Sequence, residues 1–129
     1  MKEFMLLVRN EIDHQSGWPA ERHEAFVREC MAYIGDLTRR EKLVSAQPMV
    51  REGVMVSGGA GAFLEGPFSA TREVIVGYYH VRADGLADAV AIAKGNPEFR
   101  YSTTARVEVR PIKTKEAATQ YTYPTEGKR

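Results

Sequence analysis

Hydrophobic periodicity along this 129-residue chain predicts an α+β fold in which two helices cover one face of a small β-sheet. Three observations carry that expectation. Two segments repeat apolar residues at helical spacing, several short segments are rich in β-branched and aromatic residues, and the two kinds follow one another as β-α-β, a small hairpin, and β-α-β again. The length suits a single domain, because a chain of this size buries roughly two-thirds of the surface that it exposes when unfolded.

The first strand is Phe4–Val8, too short and too closely bounded by charge to stand as a helix, and apolar on both faces. After the polar loop Asn10–Gly17, Trp18-Pro19 opens a helix. Proline suits the first helical position, Glu21 and Glu24 complement the positive end of the helix dipole, and Arg39, Arg40 and Lys42 suit its other end. Phe26, Cys30, Tyr33, Ile34 and Leu37 form its apolar stripe. Leu43–Met49 reads as a strand that Pro48 assigns to a sheet edge. Val54–Val56 and Ala62–Leu64 flank Ser57-Gly58-Gly59-Ala60-Gly61, a hairpin tip. It resembles a phosphate loop only superficially, since no Lys-Ser/Thr follows and no helix opens behind it.

Val74–Val81 is the most strand-like segment, with Val74, Val76 and Tyr78 alternating with Ile75, Gly77 and Tyr79. Asp84 is the expected cap of a second helix with Leu86, Ala89, Val90 and Ala93 in one stripe, ended by Gly95-Asn96-Pro97. Ala105–Ile112 alternates as a half-buried strand. From Lys113 the tail 113–129 has almost no aliphatic residues and is expected to be disordered or to lie as an arm on a neighbour, leaving 1–112 as the folded domain. This order is the split βαβ pattern of a ferredoxin-like βαββαβ sandwich with an inserted β-hairpin. Right-handed crossovers place both helices on one face, with Phe4–Val8 and Val74–Val81 in the centre. Both central strands are apolar on both faces, so the uncovered face predicts a homodimer, a dimeric α+β barrel closed sheet against sheet, the alternative being that the tail and hairpin cover that face in cis.

Composition excludes some functions. Eighteen Lys and Arg against seventeen Asp and Glu, a formal net charge of +1, provide no field for a nucleic-acid partner. Cys30, the single cysteine, rules out an intramolecular disulfide or a Cys-pair zinc site, which favours a reducing, cytoplasmic location. The apolar run before Arg9 is shorter than the ~7–15 residues of a signal-peptide core and the ~20 of a membrane span, so no membrane association is expected.

Several separated motifs resemble the YCII-related, or DGPF-domain, family of small bacterial proteins over residues 1 to 112. MKEFMLLVRN resembles its first strand, EGPFSATREVIVGYYHV its signature segment, and ADGLADAVAIAKGNP with ARVEVRPI its second helix and closing strand. The resemblance implies an α+β barrel dimer of unestablished activity, with a regulatory partner suggested by neighbouring alternative sigma-factor genes. Glu65 stands where the signature has Asp, Arg72 where Lys is usual, and Ala70 where an acid is frequent. A branch of the family pairs an Asp with a His inside the first helix. Here that stretch offers Cys30 and Tyr33, with His23 two turns earlier, so the pair does not carry over.

The candidate sites each have two readings. In Glu65-Gly66-Pro67-Phe68, Gly, Pro and Phe can shape a corner and plug the core, or Glu65 can act as a general base at a pocket mouth. Arg9 and the row Arg106, Glu108, Arg110 are expected on neighbouring strands, either gripping an anion or forming salt bridges. Phe68, Tyr78, Tyr79 and Trp18 can line a cavity or fill a core. Glu11, Asp13, His14 and His80 match no metal signature, and neither a metal nor a cofactor is expected. Cys30 lies on an apolar stripe as a small hydrophobe. Two functions follow: cofactor-independent acid–base chemistry on a small organic or anionic molecule, using Glu65 and the arginine row with His80 or His14, or a non-catalytic regulatory module acting with a protein partner.

Overall fold

A computed structural model describes residues 1–68 and 72–124. Six strands and three helices follow in the order β1 (Lys2–Glu11), α1 (Ala20–Arg39), β2 (Leu43–Pro48), β3 (Val54–Gly59), β4 (Ala62–Pro67), β5 (Glu73–Ala83), α2 (Leu86–Lys94), α3 (Glu98–Tyr101) and β6 (Arg106–Pro111). Four strands make one sheet in the order β2-β5-β1-β6, every pair antiparallel, and β3 with β4 makes a separate two-stranded sheet. This is the expected ferredoxin-like α+β fold with an inserted hairpin, with β1 and β5 central and the Pro48 strand at an edge.

Period-two alternation builds the core. Phe4, Leu6 and Val8 of β1 face the helices together with Tyr79, Val81 and Ala83 of β5, while Val107 and Val109 of β6 are half-buried against them. Leu37 of α1 and Ala89, Ile92 and Ala93 of α2 close that face. Full burial of a side chain such as Leu6 contributes about 2–3 kcal/mol.

The strands run beyond their expected ends because pairing continues past the apolar stretch: Asn10 pairs with Val74 and Glu11 with Glu73. A bulge where β5 passes Val8 and Arg9 changes the phase of β5. Val74 and Val76 are buried, and after the bulge Tyr79 and Val81 take over. Tyr78 is therefore on the opposite face from Val76, correcting the unbroken alternation expected from sequence. Gly77 lies at this step, and a Cβ there would stand 3.0 Å from the Gln47 carbonyl oxygen, so glycine lets β2 approach closely.

Helix α1 begins just after Pro19, which has an extended backbone. It ends with the Lys42 amide bonded to the Leu37 carbonyl and the Glu41 amide to that of Thr38, a Schellman motif whose left-handed residue is Glu41, φ 59°. In α2 the cap is Gly85 rather than Asp84, and the Asp88 carboxylate accepts from the Asp84 amide while pairing with Lys42 at 2.7 Å. Leu86 is exposed, so the buried stripe is Ala89, Ile92 and Ala93. Pro97 does not end helical structure, because the one-turn α3 follows it.

The hairpin is longer than predicted and stands apart from the core, its tip turning through Ala60 and Gly61, both with positive φ. Within the tail Lys115 bridges to Thr122 and the Tyr123 hydroxyl donates to Glu116, while residues 125–129 lie outside the described residues. Among the described residues no helix is long and apolar enough to cross a membrane.

Candidate functional site

Asn10 occupies an inward-facing position in β1, in phase with Phe4, Leu6 and Val8, where only a fully partnered polar side chain is tolerated. Its Nδ2 donates to Glu98 Oε2 at 2.8 Å and to Ser102 Oγ at 3.1 Å, and its Oδ1 accepts from Thr104 Oγ1 at 2.7 Å. The chain then turns tightly, with the His14 amide bonded to the Glu11 carbonyl and the Ser16 amide to that of Asp13. That turn sends the His14 side chain inward, 3% exposed, where Nε2 lies 2.9 Å from Glu98 Oε2. Glu98, its side chain 7% exposed, is presented by the first residue of α3, whose amide donates to Asn96 Oδ1.

Arg51 completes the cluster. Its Nε donates to the Ile12 carbonyl and Nη1 to that of Met49, both at 2.9 Å, and Nη2 lies 3.1 Å from His14 Nδ1. A guanidinium can only donate, so Nδ1 is the acceptor there and the ring proton belongs on Nε2, directed at Glu98. Nδ1 also lies 3.1 Å from the Glu11 carbonyl oxygen, which a protonated ring would engage instead. His14 thus has a defined partner in each protonation state. Burial pushes the Glu98 carboxyl up, but hydrogen bonds from His14 and Asn10, with the His14 and Arg51 charges, outweigh it and hold the group below its ordinary value.

This cluster forms one end of a cavity of about 400 Å³ between α1 and the β2–β5 edge of the sheet. Apolar walls come from Phe26, Cys30 and Ile34 of α1 and from Ala46, Val76 and Tyr79 of the sheet. The volume is within the range of small-molecule sites, as is the combination of apolar lining with a few convergent polar groups. Burial, followed by the charges of Glu98 and Glu29, pushes the Cys30 thiol up to about 11, so it lines the wall as a neutral thiol.

The residues expected from sequence fall elsewhere. Arg9, Arg106, Glu108 and Arg110 do share a face, the one opposite the helices, but as a partnered ladder. Arg106 binds Glu73 through two nitrogens at 2.6 and 2.7 Å, Arg9 reaches Glu73 at 3.2 Å and Glu108 at 3.3 Å, and Arg110 lies 3.5 Å from Glu108. Hydrogen bonding from Arg106, with that from Arg9, outweighs burial and lowers Glu73 to about 2. His80 on the same face pairs with Glu3 at 2.8 Å, and the Tyr78 hydroxyl with Ser45 at 3.1 Å.

Glu65 is not at a corner. Pairing of Glu65 with Val56 and Pro67 with Val54 makes Glu-Gly-Pro part of β4, leaving Glu65 exposed in the hairpin. Phe68 packs beside the core over Gly53, as the architectural reading expects, and Ala70 and Thr71 of the signature lie outside the described residues. Glu11 and Asp13 turn out to Arg72, 3.2 and 3.1 Å away, while His14 turns in, so these three do not converge on a metal. Trp18 stacks with Phe26 and Tyr101 around the Arg22 guanidinium instead of lining the cavity. Sequence reasoning missed Asn10, Arg51 and Glu98 altogether. The usable signal was Asn10, a polar residue in phase with a buried apolar row.

Comparison with family models matches residues 2–113 to the YCII-related domain, covering both βαβ halves and the hairpin between them. No curated protein matches the chain. With sheet order, motif order and the matched span in agreement, the chain belongs to the YCII-related domain family.

Proposed function

We propose that the protein binds a small, largely apolar molecule in the cavity between α1 and the sheet, and that His14 exchanges a proton with it. The carrying observation is the buried His14–Glu98 contact of 2.9 Å at the polar end of an otherwise apolar cavity. A carboxylate fixes the ring orientation, and the lone pair on Nδ1 becomes available to a ligand when Arg51 exchanges its hydrogen bond for one with that ligand. Arg51 is a donor of fixed charge at the same place, so an anionic or carbonyl oxygen is the complementary group. This reading keeps the cofactor-independent acid–base chemistry expected from sequence but moves it from Glu65 and His80 to His14.

We also take the functional unit to be a homodimer. Met5, Leu7 and Tyr78 are half-buried and Ile75 exposed on the face opposite the helices, beside the ladder of Arg9, Arg106, Arg110, Glu73 and Glu108. Apolar centre and mixed charges make that face self-complementary across a twofold axis.

The test is a thermal-shift screen of small organic acids, lactones and phenols against the protein and against Val27→Trp, which places an indole at the cavity mouth. Compounds that raise the midpoint for the parent protein and lose most of that rise in Val27→Trp support the reading. Equal shifts in both proteins place binding elsewhere and refute it.

A further inference from the structure

The β3–β4 hairpin is apolar on both faces and, among the described residues, covered on neither. Cross-strand pairing places Val54, Val56 and Phe63 on one face, 60%, 60% and 70% exposed, and Met55 and Leu64 on the other, 54% and 69% exposed. An isolated two-stranded hairpin is marginal in water, and one with large apolar side chains on both sides needs a surface to lie against. A second uncovered apolar patch surrounds the cavity mouth, where Val27 and Met31 of α1 and Met49 after β2 are 40%, 66% and 43% exposed. Charge distinguishes the two patches. Glu65 is the one charged side chain between Val54 and Pro67, whereas the cavity lining carries Arg51, His14 and His23 against a single carboxylate, Glu98, already paired with His14.

We infer that the hairpin of one copy lies across the cavity mouth of a second copy, with Phe63 against Val27 and Met31 and with Glu65 directed at Arg51 and His23. Each molecule carries both the arm and its acceptor, so a twofold pairing uses both patches twice and closes without leaving either free. The cavity described above is then completed only in the assembly, by a hairpin that brings apolar cover and one carboxylate. This gives Glu65 a place at the mouth of a pocket in trans, which the fold of a single chain denies it. The inference shares Arg51 with the ligand reading but not the His14–Glu98 pair that carries it, so the cross-link can fail while the ligand reading stands.

Cross-linking tests it in the full chain. In a Cys30→Ala background, Phe63→Cys and Met31→Cys are prepared as separate proteins, co-refolded and oxidised. A disulfide-linked dimer of twice 14.4 kDa from the mixture, with several-fold less from either protein alone, is the expected result. Glu65→Arg added to the Phe63→Cys chain is expected to lower the yield several-fold, since it opposes Arg51. Absence of the linked dimer from the mixture overturns the inference. So does a chain carrying both cysteines that closes on itself at low concentration while remaining a monomer, because the hairpin would then cover its own cavity. An unchanged yield with Glu65→Arg contradicts the charge match on which the pairing rests.

Discussion

Glu98 serves Asn10, His14 and the start of α3 at once, and its substitution should be felt at two levels. Glu98→Gln keeps the shape but removes the charge that holds the imidazole, and is expected to lower unfolding free energy at pH 7 by about 1–3 kcal/mol, read from urea denaturation. The pH dependence has a definite sign. The folded carboxyl is held below its ordinary 4.5, so the folded state binds fewer protons there than the unfolded state, and the stabilisation is complete above 4.5. It is lost as pH falls through the folded value, so parent and variant should converge in acid. A gap that stayed constant from pH 7 down to the acid transition would mean that the charge is not what matters. Little of this was legible in the chain. His14 follows a strand and Glu98 a proline, 84 positions apart, and only the packing of α3 against the end of β1 brings them together. The arginine row was legible as to its face, because period two fixes that. Its partners were not, since Glu73 reaches it from β5, across the intervening β1, by register alone.

At the scale of elements, Glu41 and Gly58 are two of the positions with positive φ, and they hold it for different reasons. Glu41 closes the Schellman motif of α1 at φ 59°, a conformation that costs an L-residue other than glycine about 1 kcal/mol. Glu41→Gly should therefore raise unfolding free energy by about 0.5 kcal/mol after glycine's own entropy is counted, a shift measurable in calorimetry as a higher midpoint. Gly58 has φ 109°, and a Cβ there would meet the Ala62 carbonyl oxygen at 2.1 Å, so Gly58→Ala should break the β3–β4 pairing. Because the hairpin stands outside the core, hydrogen exchange should show lost protection for Val54–Pro67 while the midpoint of the main sheet stays within a degree or two. Both helices, the edge strand and the hairpin were readable from periodicity, proline and glycine. The bulge opposite Val8 and Arg9 was not, because nothing in Val74–Val81 interrupts its apolar character, and α3 was hidden by a proline that ordinarily marks an end.

The molecule as a whole divides its surfaces by chemistry. One sheet face packs under two helices, the other carries balanced ion pairs among half-buried Met5, Leu7 and Tyr78, and the cavity opens at the β2 edge. Leu6, fully buried at the centre, sets the scale of the core, and Leu6→Ala should cost about 2–5 kcal/mol in denaturant unfolding. A loss below 1 kcal/mol would mean that the core is far looser than its burial indicates. The decisive question is which of the two polar regions a ligand uses, the His14 cavity or the arginine ladder. Amide chemical-shift mapping of labelled protein, titrated with the compound giving the largest thermal shift, answers it directly. Changes concentrated at His14, Cys30, Met31, Ala46, Gln47 and Gly77 are the expected result, and changes concentrated at Arg9, Arg106, Glu108 and Arg110, with the cavity amides unmoved, would contradict it.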